Sequence, residues 1–148
     1  MNISFIILTW DSEKYINKCL TSIFTDLLNS NYNYEIFLVD NGSKDNTAQI
    51  IKSFKNKYPD HILPIYLEKN CGTTYSRNLA LKKAKGKYII IMDSDVEIYQ
   101  RETIRRLLDT FHDKKIGLVV PKPDGIFAKN EDQAPKLIGP MLIKHIGV

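Results

Sequence analysis

Nothing in this 148-residue chain approaches the length of a membrane-spanning helix, which needs about 20 consecutive apolar residues. The amino terminus, Met1-Asn-Ile-Ser-Phe-Ile-Ile-Leu8, has no basic leader and is too short for a secretory signal. Cysteine is scarce: Cys19 and Cys71 show neither Cys-x-x-Cys nor any other metal or redox spacing. Cys19 falls on the apolar face of an expected helix and reads as core, whereas Cys71 is a loop residue without an assigned role. These absences favour a reducing, cytoplasmic setting. His61, His112 and His145 are scattered and carry no assigned chemistry. No Gly-x-Gly-x-x-Gly follows the first apolar run and no Walker-type lysine loop is present, which disfavours a dinucleotide fold. Repeats, low-complexity tracts and clear linkers are also missing.

What remains is an ordinary globular composition, 43% hydrophobic and 26% charged. The length suits one domain, residues 1–148, with room for a core. The net charge of +4 is modest, and the 21 basic residues are spread along the chain. Lys52, Lys55 and Lys57, and again Lys82, Lys83, Lys85 and Lys87, read as solvated helix faces and ends. No nucleic-acid partner is expected. The same charge could bias the surface toward anionic substrates or acidic membranes, which leaves room for peripheral contact at the inner face of a membrane.

Hydrophobic patterning predicts alternating strands and helices. Ile3 to Leu8 is a first strand, followed by a helix with Asp11 or Ser12 as its cap. Tyr15, Ile16, Cys19, Leu20, Ile23, Phe24, Leu27 and Leu28 form one apolar stripe on it. A second strand, Tyr34 to Asp40, leads through Asn41-Gly-Ser-Lys-Asp-Asn-Thr47 into a helix ending near Lys57. Asp45 and Thr47 read as turn and cap residues. Ile62 to Leu67 is a third strand, and a helix over 74–84 turns Leu79 and Ala80 inward. Tyr88 to Met92 is a fourth strand, apolar throughout and so covered on both faces. Ile104, Leu107, Leu108 and Phe111 mark a further helix, and Gly117 to Val120 a fifth strand. The expected fold class is α/β, a Rossmann-like open, mainly parallel sheet with helices on both faces. From Pro121 the pattern weakens, so 121–148 is expected to be the start of a truncated acceptor-side region, ending in the apolar run 141–146.

Polar groups gather at the strand ends. Thr9 and Asp11 follow the first strand, Asp40 ends the second, and Asp93 and Asp95 follow the fourth. Ligands of open parallel sheets bind beyond these carboxyl ends. Two carboxylates one residue apart repel, and a divalent cation holding a polyphosphate is a natural neutraliser. Solvated turn acids are the plainer alternative.

Four segments in order resemble a known family: Ile-Ile-Leu-Thr-Trp-Asp (6–11), Val-Asp-Asn-Gly-Ser-Lys-Asp-Asn-Thr (39–47), Asn-Cys-Gly-Thr-Thr-Tyr-Ser-Arg-Asn-Leu-Ala (70–80) and Met-Asp-Ser-Asp (92–95). Together they look like glycosyltransferase family 2, over about residues 3 to 123. The resemblance implies a GT-A type nucleotide-sugar-binding domain and metal-assisted, inverting sugar transfer in polysaccharide biosynthesis. The donor would be a nucleotide-diphosphate sugar, with UDP-sugar the expectation, and the acceptor a glycan or lipid-linked acceptor. It further implies that Thr9 and Asp40 line the base and ribose pocket, with Asp11 beside them. Asn70, Gly72 and Arg77 would match the loop and helix start near the nucleotide, with Arg77 bracing the acids through a bidentate pair. Asp93 would face the ribose or assist the metal through water, and Asp95 would ligate Mn2+ or Mg2+ directly.

Asp11 stands where the family usually has Asn, and Asn41 where a second acid is common. Trp10 would stack a base or sugar, or pack partly buried beside the helix start. An inverting enzyme also needs a carboxylate base. Glu131-Asp132 lies in the right direction but too early in the chain, so no base is assigned. The chain therefore reads as a donor-binding portion, completed by a C-terminal region or a partner chain. The alternatives are a non-catalytic nucleotide-sugar-binding module and, against the missing phosphate loop, a nucleotidyltransferase.

Overall fold

The computed structural model describes residues 2–121 and 141–144. Its strands are β1 (Asn2–Thr9), β2 (Asn33–Asp40), β3 (Ile62–Tyr66), β4 (Tyr88–Asp93), β5 (Leu118–Val119) and β6 (Met141–Lys144). They form one sheet in the order β3-β2-β1-β4-β6-β5. The helices are α1 (Ile16–Leu27), α2 (Thr47–Lys57), α3 (Thr73–Leu81) and α4 (Thr103–Asp109), with a 3-10 turn over Thr110–His112.

β1 pairs in parallel with β2 and β4, and β2 with β3. Because β6 runs antiparallel to both β4 and β5, β5 points the same way as β4. The sheet is thus mainly parallel, as expected, but its β4 side differs from expectation. The strand anticipated over 117–120 has only two paired residues, and the run read merely as an apolar ending supplies β6. Four apolar residues carry no usable period, and nothing in local patterning says that a late segment inserts between two earlier strands.

Alternation along β1 divides the core. Ile3, Phe5 and Ile7 face one cluster with Leu20 and Ile23 of α1, Ile51 of α2 and Ile104 and Leu108 of α4. Ile6 faces the other, with Phe37, Val39, Ile89 and Ile91 of the sheet and Ala80 of α3. Burial on both faces explains why these strands read as unbroken apolar runs. Each enclosed isoleucine contributes about 1.5–3 kcal/mol.

Local details correct the sequence reading. The α1 stripe is shorter than expected, since Tyr15 and Leu28 at its ends are exposed. Tyr15 occupies the N-cap position with no side-chain cap bond, so neither Asp11 nor Ser12 is the cap. On α3, Leu79 is only half-buried, and Ser76 joins Ala80 on the inner side. Gly86 lies against β1, where an added Cβ would meet the Ser4 backbone nitrogen at 2.4 Å. Its own N–H donates to Ser4 Oγ at 2.7 Å.

α4 is seven residues long and enters through Glu102 in a left-handed conformation without a local side-chain cap. Its orphan amides are met from α1 instead. Asp26 accepts Thr103 N–H at 3.1 Å and Ile104 N–H at 2.9 Å. One turn earlier on α1, Ser22 Oγ accepts Ile98 N–H at 3.0 Å. The segment after β4 is thereby fastened to α1. Replacing Asp26 by Ala should lower unfolding free energy by about 0.5–2 kcal/mol, the usual effect of losing a cap. Urea titration followed by circular dichroism checks this, and Asp26→Asn should recover most of the loss.

Candidate functional site

Strand register assembles the site. Thr9 lies opposite Asp40 and Leu8 opposite Asp93, so three strand ends meet on one rim. Thr9 is fully buried, and its hydroxyl donates to Val39 O at 3.3 Å. Asp40 is 4% exposed, and its Oδ1 accepts both the Ser43 N–H and the Ser43 hydroxyl. Asp11 has φ of 46°, and its carboxylate accepts Lys44 N–H at 2.7 Å. Asn70 Oδ1 accepts from Asn41 Nδ2 at 3.0 Å and from Gly72 N–H at 2.9 Å. Gly72 sits at the N-cap of α3 with φ of 82°.

Arg77, on α3, pairs with Asp93 through a single Nη2–Oδ1 contact. The expected bidentate fork is therefore not what forms: the second Asp93 oxygen is not engaged by the guanidinium. Arg77 Nε is buried with no hydrogen-bond partner among the described residues. Asp95 is exposed, and no hydrogen bond or ion pair among the described residues engages its carboxylate. Trp10 is 57% exposed, so it is not packed beside the helix start.

Ser12, Ser94 and Asn41 hold the loops together, and sequence reasoning missed all three in this role. Ser12 N–H donates to Thr47 Oγ1 at 2.7 Å, and Ser12 Oγ lies 2.8 Å from Ser94 Oγ. Asp45 accepts Glu13 N–H at 2.9 Å, while Glu13 accepts Asn46 N–H at 3.0 Å. Asn41, 2% exposed, accepts Cys71 N–H at 2.9 Å and the Ser76 hydroxyl at 2.8 Å. With the Arg77–Asp93 pair, these ties link the loops after β1, β2, β3 and β4 in a closed circuit. Gly42 sits at a close approach of two of these loops: φ is 78°, and a Cβ would meet Lys69 Cα at 2.5 Å. Serine and asparagine in such loops signal turns generally, so only the tertiary partners distinguish these residues.

The electrostatics follow from the packing. Burial, reinforced by the carboxylates of Asp95, Asp93 and Glu97, pushes the Cys19 thiol up to about 12. Burial and the Asp40 carboxylate also raise the Tyr66 phenol, which sits across from Asp40 on β3. Burial pushes the Asp45 carboxyl up, but bonds from the Thr47 hydroxyl and the Glu13 and Thr47 amides outweigh it and hold it below the ordinary range.

No group of three His, Cys, Asp or Glu side chains is placed to hold a metal among the described residues. A magnesium-like ion commonly takes one or two carboxylates and completes its shell with substrate phosphates and water. An all-oxygen pair with Asp95 free fits that pattern and not a closed cage. Glu131 and Asp132, considered for the base, lie outside the described residues, as does His145. Among the described residues no helix is long and apolar enough to cross a membrane.

Residues 4–145 match the family model described as Glycosyl transferase family 2. The minor teichoic acid biosynthesis protein GgaA of Bacillus subtilis (strain 168) is 32% identical over 114 residues, covering 76% of this chain and 25% of GgaA. Poly(ribitol-phosphate) beta-N-acetylglucosaminyltransferase TarS of Staphylococcus aureus (strain Mu50) is 30% identical over 135 residues, 90% of this chain and 23% of TarS. The chain thus spans about a quarter of the length of these curated relatives. The crystal structure of S. aureus TarS 1-349 in complex with UDP superposes with a TM-score of 0.68 at 31% identity, covering 85% of this chain and 36% of that one. Mannosyltransferase PcManGT from Pyrobaculum calidifontis, in complex with GDP-Man and Mn2+, shares the fold with a TM-score of 0.71 at 23% identity, covering 80% and 34%.

Two outcomes test this geometry. With Cys19 buried and protonated at neutral pH and Cys71 exposed, dithionitrobenzoate should titrate one thiol per native chain and both in guanidinium. Asn41→Ala should strip the acceptor from the Cys71 amide and the buried Ser76 hydroxyl, costing about 1–3 kcal/mol. Faster amide exchange at Cys71, read by NMR, is the local sign of that loss.

Proposed function

The chain belongs to glycosyl transferase family 2 and has the GT-A fold, and from that membership we propose that it binds a nucleotide-diphosphate sugar and takes part in sugar transfer with inversion. A UDP-sugar is the proposed donor, because S. aureus TarS, 31% identical over most of this chain, has been crystallised with UDP. The proposed acceptor is a cell-surface glycopolymer, glycan or lipid-linked, in line with relatives named for teichoic acid and poly(ribitol-phosphate). Such an acceptor would place the protein at the inner face of the membrane. Nucleotidyl transfer has no support from these relatives.

One observation carries the reading: Arg77 neutralises Asp93 while Asp95, two residues on, stays exposed and unpaired among the described residues. Asp95 would hold Mn2+ or Mg2+, with Asp93 assisting through water, and the cation would act as a Lewis acid on the diphosphate oxygens. Thr9 and Asp40 would end the pocket at the base and ribose, where the fixed Asp40 carboxylate can accept a hydrogen bond from a base edge. Asp11, Asn70 and Gly72 would shape its walls. Arg77 Nε, buried without a partner among the described residues, would be satisfied by a donor oxygen. An unmet buried donor costs about 1–3 kcal/mol.

In the reaction, an acceptor hydroxyl oxygen attacks the anomeric carbon from the face opposite the diphosphate. The bond from that carbon to the phosphate oxygen breaks, and its electron pair leaves with the nucleoside diphosphate. The hydroxyl proton passes to a base that is not assigned within this chain. That gap, with the quarter-length span, favours a second reading in which the chain alone binds donor without turnover until a further region or partner chain completes it.

Calorimetric titration with UDP, GDP and dTDP, each with and without Mn2+, tests the site. UDP should bind best, and Mn2+ should tighten it about tenfold or more, at least 1.4 kcal/mol. Asp95→Asn should remove that gain; metal-independent binding in the wild type would defeat the assignment. Nucleotide release coupled to acceptor separates transfer from binding alone.

A further inference from the structure

Ser12 Oγ has an unusually complete set of partners. Trp10 N–H donates to it at 3.1 Å, it donates to Trp10 O at 3.1 Å, and it lies 2.8 Å from Ser94 Oγ. A hydroxyl has one proton and two lone pairs. With one proton, Ser12 donates either to Trp10 O or to Ser94 Oγ, and in the first case Ser94 is the donor to Ser12. In either arrangement the two side chains are in hydrogen-bond contact across the loops. Both serines are buried, at 4% and 8% exposure, and the bond between them is buried with them.

The two ends of this relay matter. Ser94 is the residue between Asp93 and Asp95, on the loop after β4. Trp10 and Asp11 form the loop after β1, which is also stitched to the loop after β2 through Ser12 N–H and Thr47. Asp93 is held independently from α3 by Arg77. The Ser12–Ser94 contact is the hydrogen bond between side chains that crosses from the acid motif to the β1 loop among the described residues.

We propose that Ser12 and Ser94 are positioning residues, which lock the acid motif to the Trp10–Asp11 loop so that the cation side and the nucleoside side of a donor are held at one fixed spacing. This rests on the donor-binding reading above, but the lock itself exists in the ligand-free chain. Neither hydroxyl need touch the donor. Both act through the backbone of Trp10 and the carboxylates that flank Ser94.

The Trp10 amide reports on the lock directly, because Ser12 Oγ is its acceptor. In the ligand-free chain, Ser94→Ala should speed Trp10 amide exchange about fivefold, the effect of losing one net hydrogen bond. Ser94→Thr, which keeps the hydroxyl, should restore the wild-type rate. Ser12→Ala should speed it further, and the double variant should match Ser12→Ala alone, as expected of groups in one relay. An unchanged Trp10 rate in Ser94→Ala, or losses that add, would overturn the proposal. The second arm measures how much Mg2+ tightens UDP binding. Ser94→Ala should reduce that gain about fivefold while leaving metal-free UDP affinity unchanged. A full gain in Ser94→Ala refutes positioning even if the amide responds. If wild-type protein shows no metal-dependent gain at all, the donor-binding reading fails, and the exchange arm still decides whether the lock exists.

Discussion

The structure depends on the in-register parallel pairing of β1 with its two neighbours. That pairing is what sets Thr9 against Asp40 and Leu8 against Asp93. A one-residue slip would turn Ile3, Phe5 and Ile7 away from the cluster that buries them, so packing fixes the register. Two faces of apolar burial thus do chemical work at a distance. They hold three strand ends level, and the polar loops are built outward from that rim.

Electrostatics on the rim is asymmetric by construction. Arg77 reaches Asp93 from α3, and nothing among the described residues reaches Asp95. The acid pair therefore presents one compensated and one uncompensated carboxylate. Beneath it, Cys19 feels both, together with Glu97, and burial with these charges pushes its thiol up. On the other side, Asp40 acts in the same direction on the half-exposed Tyr66 phenol. The hydroxyl and amide side chains between them, chiefly Ser12, Asn41, Ser76 and Ser94, are buried and bonded rather than solvated. Preorganised polar groups of this kind need not reorient when charge arrives.

Much of this was legible in the chain itself. Runs such as Tyr88 to Met92 announce buried strands because burial on both faces leaves no polar position, and acids at their ends mark the rim. The α1 stripe from Ile16 to Leu27 is equally plain. Other features were hidden for physical reasons. Helix entry through Tyr15 could not be read, because Ser12 looks like a cap and spends its hydroxyl on Trp10 and Ser94 instead. Leu79 and Ser76 exchange roles because the inner side of α3 lies close against the sheet and admits a small bonded side chain. The capping of α4 by Asp26 joins residues 77 and 78 positions apart, beyond any local pattern.

The place of β6 has a consequence for how the chain acquires its shape. Until Met141–Lys144 is available, the outer margin of β4 at Tyr88–Ile91 has no neighbour on that side. An apolar strand with free backbone donors and acceptors is a template for pairing with other molecules. During synthesis, some fifty further residues must be added before that margin can be sealed, and closing so long a loop is slow. Aggregation risk is thus greatest in nascent or shortened chains that stop before this late strand, even though every residue of the rim has already been made.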